Sequence, residues 1–306
     1  MQAVIDLGTN TFNLAVGEIL HGRLFLHHTA WRGVLLKKEG LAHGAIAQSA
    51  WQRASLAVKE LLSEAREAGA TQVFALATSA LRDAADVKLW MLDMQRQFNL
   101  PIRIIGGVEE AHLIWKGLAA SGALYTEALS IDIGGGSVEF VHANDKKIFW
   151  LESIDMGMAR VQNAIAWSDP ITEAEVLAVR SWLHERILPV LEYASNKSIK
   201  RLVGAAGAFD TLYCLCHNKA APAAWGYVER NEVLKWTNEL VNSPRHKRAA
   251  LPYMPALRVD SQVYAMLLLE ALLIAFPSIA GIDTSTYSLR EGALLHANEN
   301  PGFVKE

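Results

Sequence analysis

The sequence predicts an α/β fold built from two duplicated domains, and two observations carry this prediction. The chain has 306 residues, of which 51% are hydrophobic and 20% are charged, so it is long enough for two globular domains that each bury a core of their own. A short pattern also occurs twice: a buried strand ends in Asp-x-Gly, small or polar residues follow, and a second strand begins. We therefore expect one hairpin of this kind in each domain.

The hairpin in the middle of the chain has the stronger signal. Its first strand ends at Asp132, three consecutive glycines follow at residues 134–136, and the second strand contains Glu139. Glycine lets the backbone turn tightly and approach a ligand closely, and successive N–H groups in such a turn form a concavity that suits phosphate. Asp132 and Glu139 are candidate metal ligands beside it. A plain glycine hairpin with a solvated Asp132 is the alternative.

The hairpin at the start of the chain repeats the arrangement. Its first strand, at residues 3–7, contains Asp6, and Gly8 opens a turn before the second strand at residues 14–19. Because a strand follows each turn where a helix would be needed, the pattern is neither a dinucleotide-binding glycine motif nor a P-loop. Both turns are therefore predicted as phosphate-binding loops, one from each half of the chain.

A third candidate segment follows the buried strand predicted at residues 73–78. Arg82 lies just beyond its end, and a guanidinium suits phosphate because its planar fork donates two parallel hydrogen bonds and stays charged. An exposed Arg82 paired with Asp83 or Asp86 is the alternative. Further on, Glu109 and Glu110 begin a predicted helix, where acidic residues are also favoured simply by the helix dipole.

These segments together resemble the actin, sugar-kinase and heat-shock-chaperone ATPase superfamily. Within it, the chain is similar to the exopolyphosphatase and guanosine pentaphosphate phosphohydrolase family. The further segments that carry this resemblance are residues 78–84 around Arg82, the Gly-x-Glu-Glu-Ala element at residues 107–111, and the closing Leu-Arg-Glu-Gly motif at residues 289–292. The resemblance runs from about residue 1 to about residue 296.

The resemblance implies a fold of two duplicated ribonuclease H-like (actin-like ATPase) domains. Each would have a mixed five-stranded sheet flanked by helices, with the active cleft between the domains. We expect the domains at residues 1–123 and 124–306, with the last helix packing back on the first domain.

The resemblance also implies a reaction: hydrolysis that releases terminal phosphate from inorganic polyphosphate, guanosine pentaphosphate or both. In this reading Glu110 is the catalytic base that activates water, and Mg²⁺ or another divalent cation is bound by Asp6, Asp132 and Glu139. The substrate phosphates would be bound by Arg82 and by the two loops, whose residues are Gly8, Thr9, Asn10, Thr11, Gly134, Gly135, Gly136 and Ser137.

Two other functions stay open on the sequence alone. A superfamily kinase would use the same loops with ATP, and a non-catalytic sensor of nucleotide or polyphosphate would keep the loops without the chemistry. The glycine-containing loop at residues 204–211 either packs against a nucleotide or only begins a helix, and the basic cluster at residues 245–248 is either solvated surface or an entry path for a polyanion.

Composition limits the partners that we expect. The net charge of −3 gives no global basic field for nucleic acid. The longest apolar run, at residues 263–276, is interrupted by Glu270 and is too short to span a bilayer, so we predict a buried helix there and no membrane partner. Cys214 and Cys216 match no zinc or redox spacing, which favours a cytoplasmic protein. The oligomeric state is left open, a homodimer included.

Two helix starts carry capping-box patterns, Ser49 with Gln52 and Thr172 with Glu175. The first helix is predicted to keep Leu56 inward, together with Leu61 and Leu62.

Overall fold

The structure is a computed structural model that describes residues 1–37, 41–42 and 45–303, without the side chains of residues 41 and 42. The chain divides into two compact units. One comprises Met1–Ala120 and Leu289–Glu306, and the other comprises Ser121–Ser288. The division predicted at residues 123/124 lies three residues beyond this one, and the segment from Leu289 onward belongs to the first unit.

The first unit is organised around a five-stranded mixed sheet with the order β3-β2-β1-β6-β7. β1 pairs antiparallel with β2 and parallel with β6. Alternate residues of β1, namely Ala3, Ile5 and Leu7, join a core with the apolar face of α1, as the two-residue period of a strand requires. In chain order the elements are β1 (Gln2–Leu7), β2 (Thr11–Leu20), β3 (Arg23–Gly33), β4 (Leu41–Ala42), β5 (Ala45–Ile46), α1 (Gln48–Glu67), β6 (Gln72–Ala77), α2 (Ser79–Asp83), α3 (Val87–Phe98), β7 (Ile102–Ile104) and α4 (Gly107–Ser121).

The second unit has a six-stranded mixed sheet with the order β10-β9-β8-β11-β13-β12 and a separate core. Its elements are β8 (Ala128–Ile133), β9 (Val138–Ala143), β10 (Ile148–Ile154), α5 (Met158–Ala164), α6 (Glu173–Arg186), α7 (Leu188–Ala194), β11 (Leu202–Ala205), α8 (Gly207–His217), β12 (Trp225–Glu229), α9 (Arg230–Asn242), α10 (Arg245–Ala249), α11 (Ser261–Ala275) and β13 (Gly281–Ser285). After β13 the chain enters α12 (Leu289–Glu299), which belongs to the first unit.

The two sheets repeat one topology. In each, a central strand pairs antiparallel with the next strand in sequence and parallel with a later one, and a further parallel strand follows. The predicted duplicated α/β fold is therefore confirmed, with one correction. The second sheet has a sixth strand, β12, which extends it antiparallel to β13.

The helix predictions had mixed outcomes. Thr172 and Glu175 form the predicted capping box at the start of α6. The box at Ser49 was wrong, because α1 already begins at Gln48 after Ala47 and has no side-chain cap. Leu56 is exposed, since the inward face of α1 follows Ala54, Val58 and Leu61. α11 is buried along most of its length, as predicted, although Ile274 near its end is exposed. Within the described ranges, no helix has the length and apolar character needed to cross a membrane.

The last helix, α12, packs closely on the first unit. It contacts β1, β2 and β3, and Gly292 lies against α4 so closely that a Cβ there would be 1.7 Å from the Leu113 carbonyl oxygen. Only a glycine allows this approach of two helix backbones.

Candidate active site

The loop of the first unit is a tight turn between β1 and β2. The Gly8 N–H donates to the Thr11 carbonyl at 3.1 Å, and a Cβ on Gly8 would lie 2.8 Å from the same oxygen, so the turn requires glycine. Asp6 is paired with Asn13 across the two strands. The Asn13 side-chain amide donates to Asp6 Oδ2 and to Thr11 Oγ1, both at 3.2 Å.

The loop of the second unit has the same construction. The Gly134 N–H donates to the Ser137 carbonyl at 3.0 Å, and a Cβ on Gly134 would lie 2.9 Å from that oxygen. Asp132 is paired with Glu139 across β8 and β9, so the two side chains are neighbours on one face of the sheet. Position by position, Asp132, Gly134, Ser137 and Glu139 therefore correspond to Asp6, Gly8, Thr11 and Asn13.

The backbone carbonyl groups of each loop accept hydrogen bonds from a neighbouring segment of the same unit. The backbone N–H groups of residues 34 and 35 donate to the Asn10 carbonyl, and that of residue 36 donates to the Thr9 carbonyl. In the second unit the N–H groups of Gly157 and Ala159 donate to the Gly136 and Gly135 carbonyls at 3.1 and 2.8 Å.

Backbone N–H groups of the two loops remain available to a ligand. Within the described part of the chain, no hydrogen-bond acceptor is found for the N–H groups of Thr9, Asn10, Gly135 and Gly136. Both loops therefore present backbone donors, as an anion-binding turn does.

Arg82 and Glu110 are brought together in the first unit. Arg82 lies in α2 and donates to the Ile105 carbonyl at 3.0 Å, and its Nη1 lies 3.6 Å from Glu110 Oε2. Glu110 is in the first turn of α4 and is 8% exposed. The alternative was an ion pair of Arg82 with Asp83 or Asp86. These contacts disfavour it, because Lys37 binds Asp83 at 3.3 Å and the Trp51 indole donates to Asp86 at 2.6 Å.

The two adjacent acids of α4 have different surroundings. Glu109 forms an ion pair with Arg103, and the Arg103 guanidinium lies over the Phe303 ring at 4.7 Å. Glu110 faces Arg82 instead. Of the two, only Glu110 combines burial with a cation on the segment predicted to bind phosphate.

The three predicted metal ligands are not one preformed cluster. Over residues 1–37, 41–42 and 45–303, no group of three or more His, Cys, Asp or Glu side chains is arranged to hold an ion. The structure does bring Asp132 and Glu139 together, whereas Asp6 lies in the first unit beside Asn13. A carboxylate pair fits Mg²⁺, which commonly takes one or two carboxylates and completes its shell with water and substrate phosphate.

The pair is held by hydroxyl groups that the sequence alone did not single out. Ser153 donates to Glu139 Oε1 at 2.7 Å, and Ser288 donates to Asp132 Oδ2. Asn13 was missed in the same way. The strand register could have revealed Asn13 and Ser153, since each is the cross-strand partner of a predicted carboxylate.

The other two candidate segments are held by contacts within the chain. In the loop at residues 204–211, the Phe209 ring covers Gly204, and Arg258 donates to the Gly207 carbonyl and to Thr211 Oγ1. In the basic cluster, Arg248 is buried against Asp260 and the Val259 carbonyl.

A family model of the Ppx/GppA phosphatases matches residues 21–300. The chain belongs to this family. It is 31% identical to exopolyphosphatase 2 of Mycobacterium tuberculosis over 94% of either chain. It is 27% identical to the guanosine-5'-triphosphate,3'-diphosphate pyrophosphatase of Vibrio vulnificus over 69% of this chain and 43% of that protein.

Solved structures agree with the fold. An exopolyphosphatase from Cytophaga hutchinsonii has a TM-score of 0.89 and 29% identity, covering 99% of this chain and 97% of the other. The Aquifex aeolicus member of the Ppx/GppA family has a TM-score of 0.82 at 22% identity, over 98% of both chains, which supports the fold. The family resemblance and the two-domain actin-like fold predicted from the sequence are thereby confirmed.

Proposed function

We propose that the protein is a phosphohydrolase that releases terminal phosphate from inorganic polyphosphate, from guanosine pentaphosphate, or from both. The observation that carries the proposal is the buried Glu110 beside Arg82, in a chain of the Ppx/GppA phosphatase family that also has two loops of backbone donors. The names of its relatives support both substrates.

Phosphate binding is assigned to the loops and to Arg82. The N–H groups of Thr9, Asn10, Gly135 and Gly136 are free to donate to phosphate oxygens within the described structure, and Thr11 and Ser137 add hydroxyl groups at the turn ends. A phosphoanhydride resists water because its negative oxygens repel a nucleophile, so binding those oxygens with donors and a guanidinium lowers the barrier.

Glu110 is the proposed general base. It takes a proton from water as the oxygen of that water bonds to the terminal phosphorus. The bridging P–O bond breaks, and its electron pair stays with the shortened chain. Because Arg82 lies 3.6 Å from Glu110 Oε2, a phosphate bound by Arg82 would be held close to the base that activates the water.

A divalent cation is the proposed cofactor, with Mg²⁺ as the best match to paired carboxylates. Asp132 and Glu139 would bind it in the second unit, and Asp6, oriented by Asn13, is the proposed ligand of the first unit. The ion would neutralise charge on the phosphate oxygens.

One observation disfavours the kinase alternative. In the loop at residues 204–211, the Phe209 ring lies against Gly204 and Arg258 donates to Thr211 Oγ1, so the segment that would pack against a nucleotide already has contacts within its own unit. A cytoplasmic location, inferred from the two unpaired cysteines, suits either substrate.

The test measures inorganic phosphate released by the purified protein from polyphosphate, guanosine pentaphosphate and ATP in parallel. We expect release from at least one of the first two, its loss in EDTA, and its return with Mg²⁺. Full activity in a chelated, metal-free preparation would contradict the metal assignment. ATP turnover that requires an added acceptor would favour the kinase, and polyphosphate binding without turnover would favour the sensor.

A further inference from the structure

Two serines hold the paired carboxylates of the second unit. Asp132, Glu139 and Ser153 lie side by side on β8, β9 and β10, because Glu139 is the cross-strand partner of both other residues. Ser153 donates to Glu139 Oε1 at 2.7 Å. Ser288, just before α12, donates to Asp132 Oδ2 and is 5% exposed.

The two serine hydroxyl groups counteract the charge repulsion between the Asp132 and Glu139 carboxylates. Like charges directly opposite each other on neighbouring strands repel and tend to turn away from one another. Glu139 is 2% exposed, so its carboxylate has little water to orient it. A hydroxyl donor on one oxygen of each carboxylate opposes this rotation and fixes the direction of the group.

We propose that Ser288 and Ser153 are positioning residues that orient Asp132 and Glu139 for a divalent cation. Mg²⁺ demands nearly ideal octahedral geometry, so its affinity depends on how well its carboxylates are oriented. Neither serine touches the ion in this role. The inference rests on the metal site of the proposed function and adds to it the groups that orient that site.

Ser130 provides a matched control. It lies on the same strand as Asp132, is buried to 1% exposure, and donates its hydroxyl to the Val141 carbonyl at 2.9 Å. Ser130→Ala therefore removes a buried hydroxyl hydrogen bond of the same sheet without touching either carboxylate.

The experiment titrates the full-length protein with Mn²⁺, without substrate, and follows free Mn²⁺ by electron paramagnetic resonance. Ser288→Ala and Ser153→Ala should each weaken Mn²⁺ binding by about 10- to 100-fold, the usual effect of removing a group that supports a ligand. Ser130→Ala should bind Mn²⁺ like the wild type, even if its melting temperature falls as far as those of the other two variants. Ser153→Thr keeps the hydroxyl on a strand that favours β-branched residues and should restore the affinity.

A second readout separates positioning from substrate binding. The Mg²⁺ concentration that gives half-maximal phosphate release should rise in Ser288→Ala and Ser153→Ala, while KM for substrate at saturating Mg²⁺ should stay near the wild-type value.

Wild-type Mn²⁺ affinity in both alanine variants would overturn the inference, as would an equal loss in Ser130→Ala or a wild-type protein that binds no Mn²⁺. Failure of the proposed function is a different result. In that case no tested phosphoanhydride would be hydrolysed, although the Mn²⁺ titrations would still separate the serine variants from Ser130→Ala.

Discussion

Glu109 and Glu110 are neighbours in sequence, yet the fold gives them separate partners. Adjacent helix positions point about a quarter-turn apart, which places Glu109 on Arg103 and Glu110 on Arg82. The sequence alone offered both acids as ordinary helix-start residues, and only the family resemblance chose between them. The contacts supply a physical reason for the choice.

Replacing the proposed base should stop turnover without unfolding the chain. Glu110→Gln keeps the shape of the side chain but cannot accept the proton from water, so kcat for phosphate release should fall by about 10²–10⁴-fold. Glu109→Gln is the control and should cost far less, because it loses only an ion pair with a partly exposed Arg103. If Glu109→Gln is the inactive variant, the base has been assigned to the wrong acid.

Ala206 is a residue whose backbone conformation favours glycine. It precedes α8 with φ 46° and ψ −160°, where a Cβ is strained by about 1–3 kcal/mol. Ala206→Gly should therefore raise the free energy of unfolding by about 1 kcal/mol, after allowance for the added flexibility of the unfolded chain. Urea denaturation measures this, with Ala208→Gly, inside α8, as a control that should be destabilised. A destabilised Ala206→Gly would show that the strain is absent.

The candidate site could be predicted where its residues follow a local pattern, and could not where a contact joins distant parts of the chain. The Asp-x-Gly turns are local patterns, so the loops were found from the sequence. Asn13 and Ser153 could have been found from the register of adjacent strands, whereas Ser288 binds Asp132 from 156 residues further along the chain, and no short-range spacing records that contact.

At the scale of elements, the packing of α12 on α4 depends on Gly292. A Cβ there would lie 1.7 Å from the Leu113 carbonyl oxygen and 2.9 Å from the Gly117 nitrogen, so Gly292→Ala must push the helices apart. We expect a loss of about 1–3 kcal/mol in the free energy of unfolding, despite the better helix propensity of Ala. Gly302→Ala has open space around it and should change stability little. Equal stability of the two variants would contradict the close approach.

The same helix pair makes stability depend on pH. The rings of His112 on α4 and His296 on α12 meet edge to face, with their centroids 6.2 Å apart. Burial, followed by Lys116, lowers the pKa of each below the usual 6.5, while Glu109 and Glu299 act in the opposite direction. Below pH 6.5 the unfolded chain therefore takes up protons that the folded chain resists, so stability should fall as the pH decreases.

Replacing both histidines should make the free energy of unfolding depend less on pH. In His112→Gln combined with His296→Gln, the free energy of unfolding should fall less steeply from pH 6.5 downward than in the wild type, as measured by urea denaturation at each pH. His246→Gln, at an exposed position away from this pair of histidines, is the control. An unchanged slope in the double variant would remove these histidines from the explanation.

At the scale of the whole molecule, the duplication could be predicted because each half contains the same hairpin. The sixth strand could not, since β12 adds to the sheet edge through a pairing with β13 that lies more than fifty residues later. The allocation of α12 also depends on a long-range contact, because this helix follows the second unit in sequence and packs on β1 and β2 of the first.

The assignment of α12 to the first unit predicts which strands lose protection from hydrogen exchange when the chain is shortened. A variant that ends at Ser288 loses α12, and with it apolar cover for β1 and β2, while the core of the second unit keeps all its members, which lie between residues 129 and 282. Hydrogen exchange followed by mass spectrometry should therefore show faster exchange in peptides covering β1 and β2, and wild-type protection in peptides covering β8 and β9. A variant that ends at Glu299 keeps α12 and loses the Phe303 contacts with Phe74, His296 and Arg103, together with the Asn300 hydrogen bond to the His296 carbonyl, so its loss of protection should be much smaller. Equal deprotection of both units in the Ser288 variant would mean that they unfold as one cooperative body, and α12 could not then be assigned to the first unit alone.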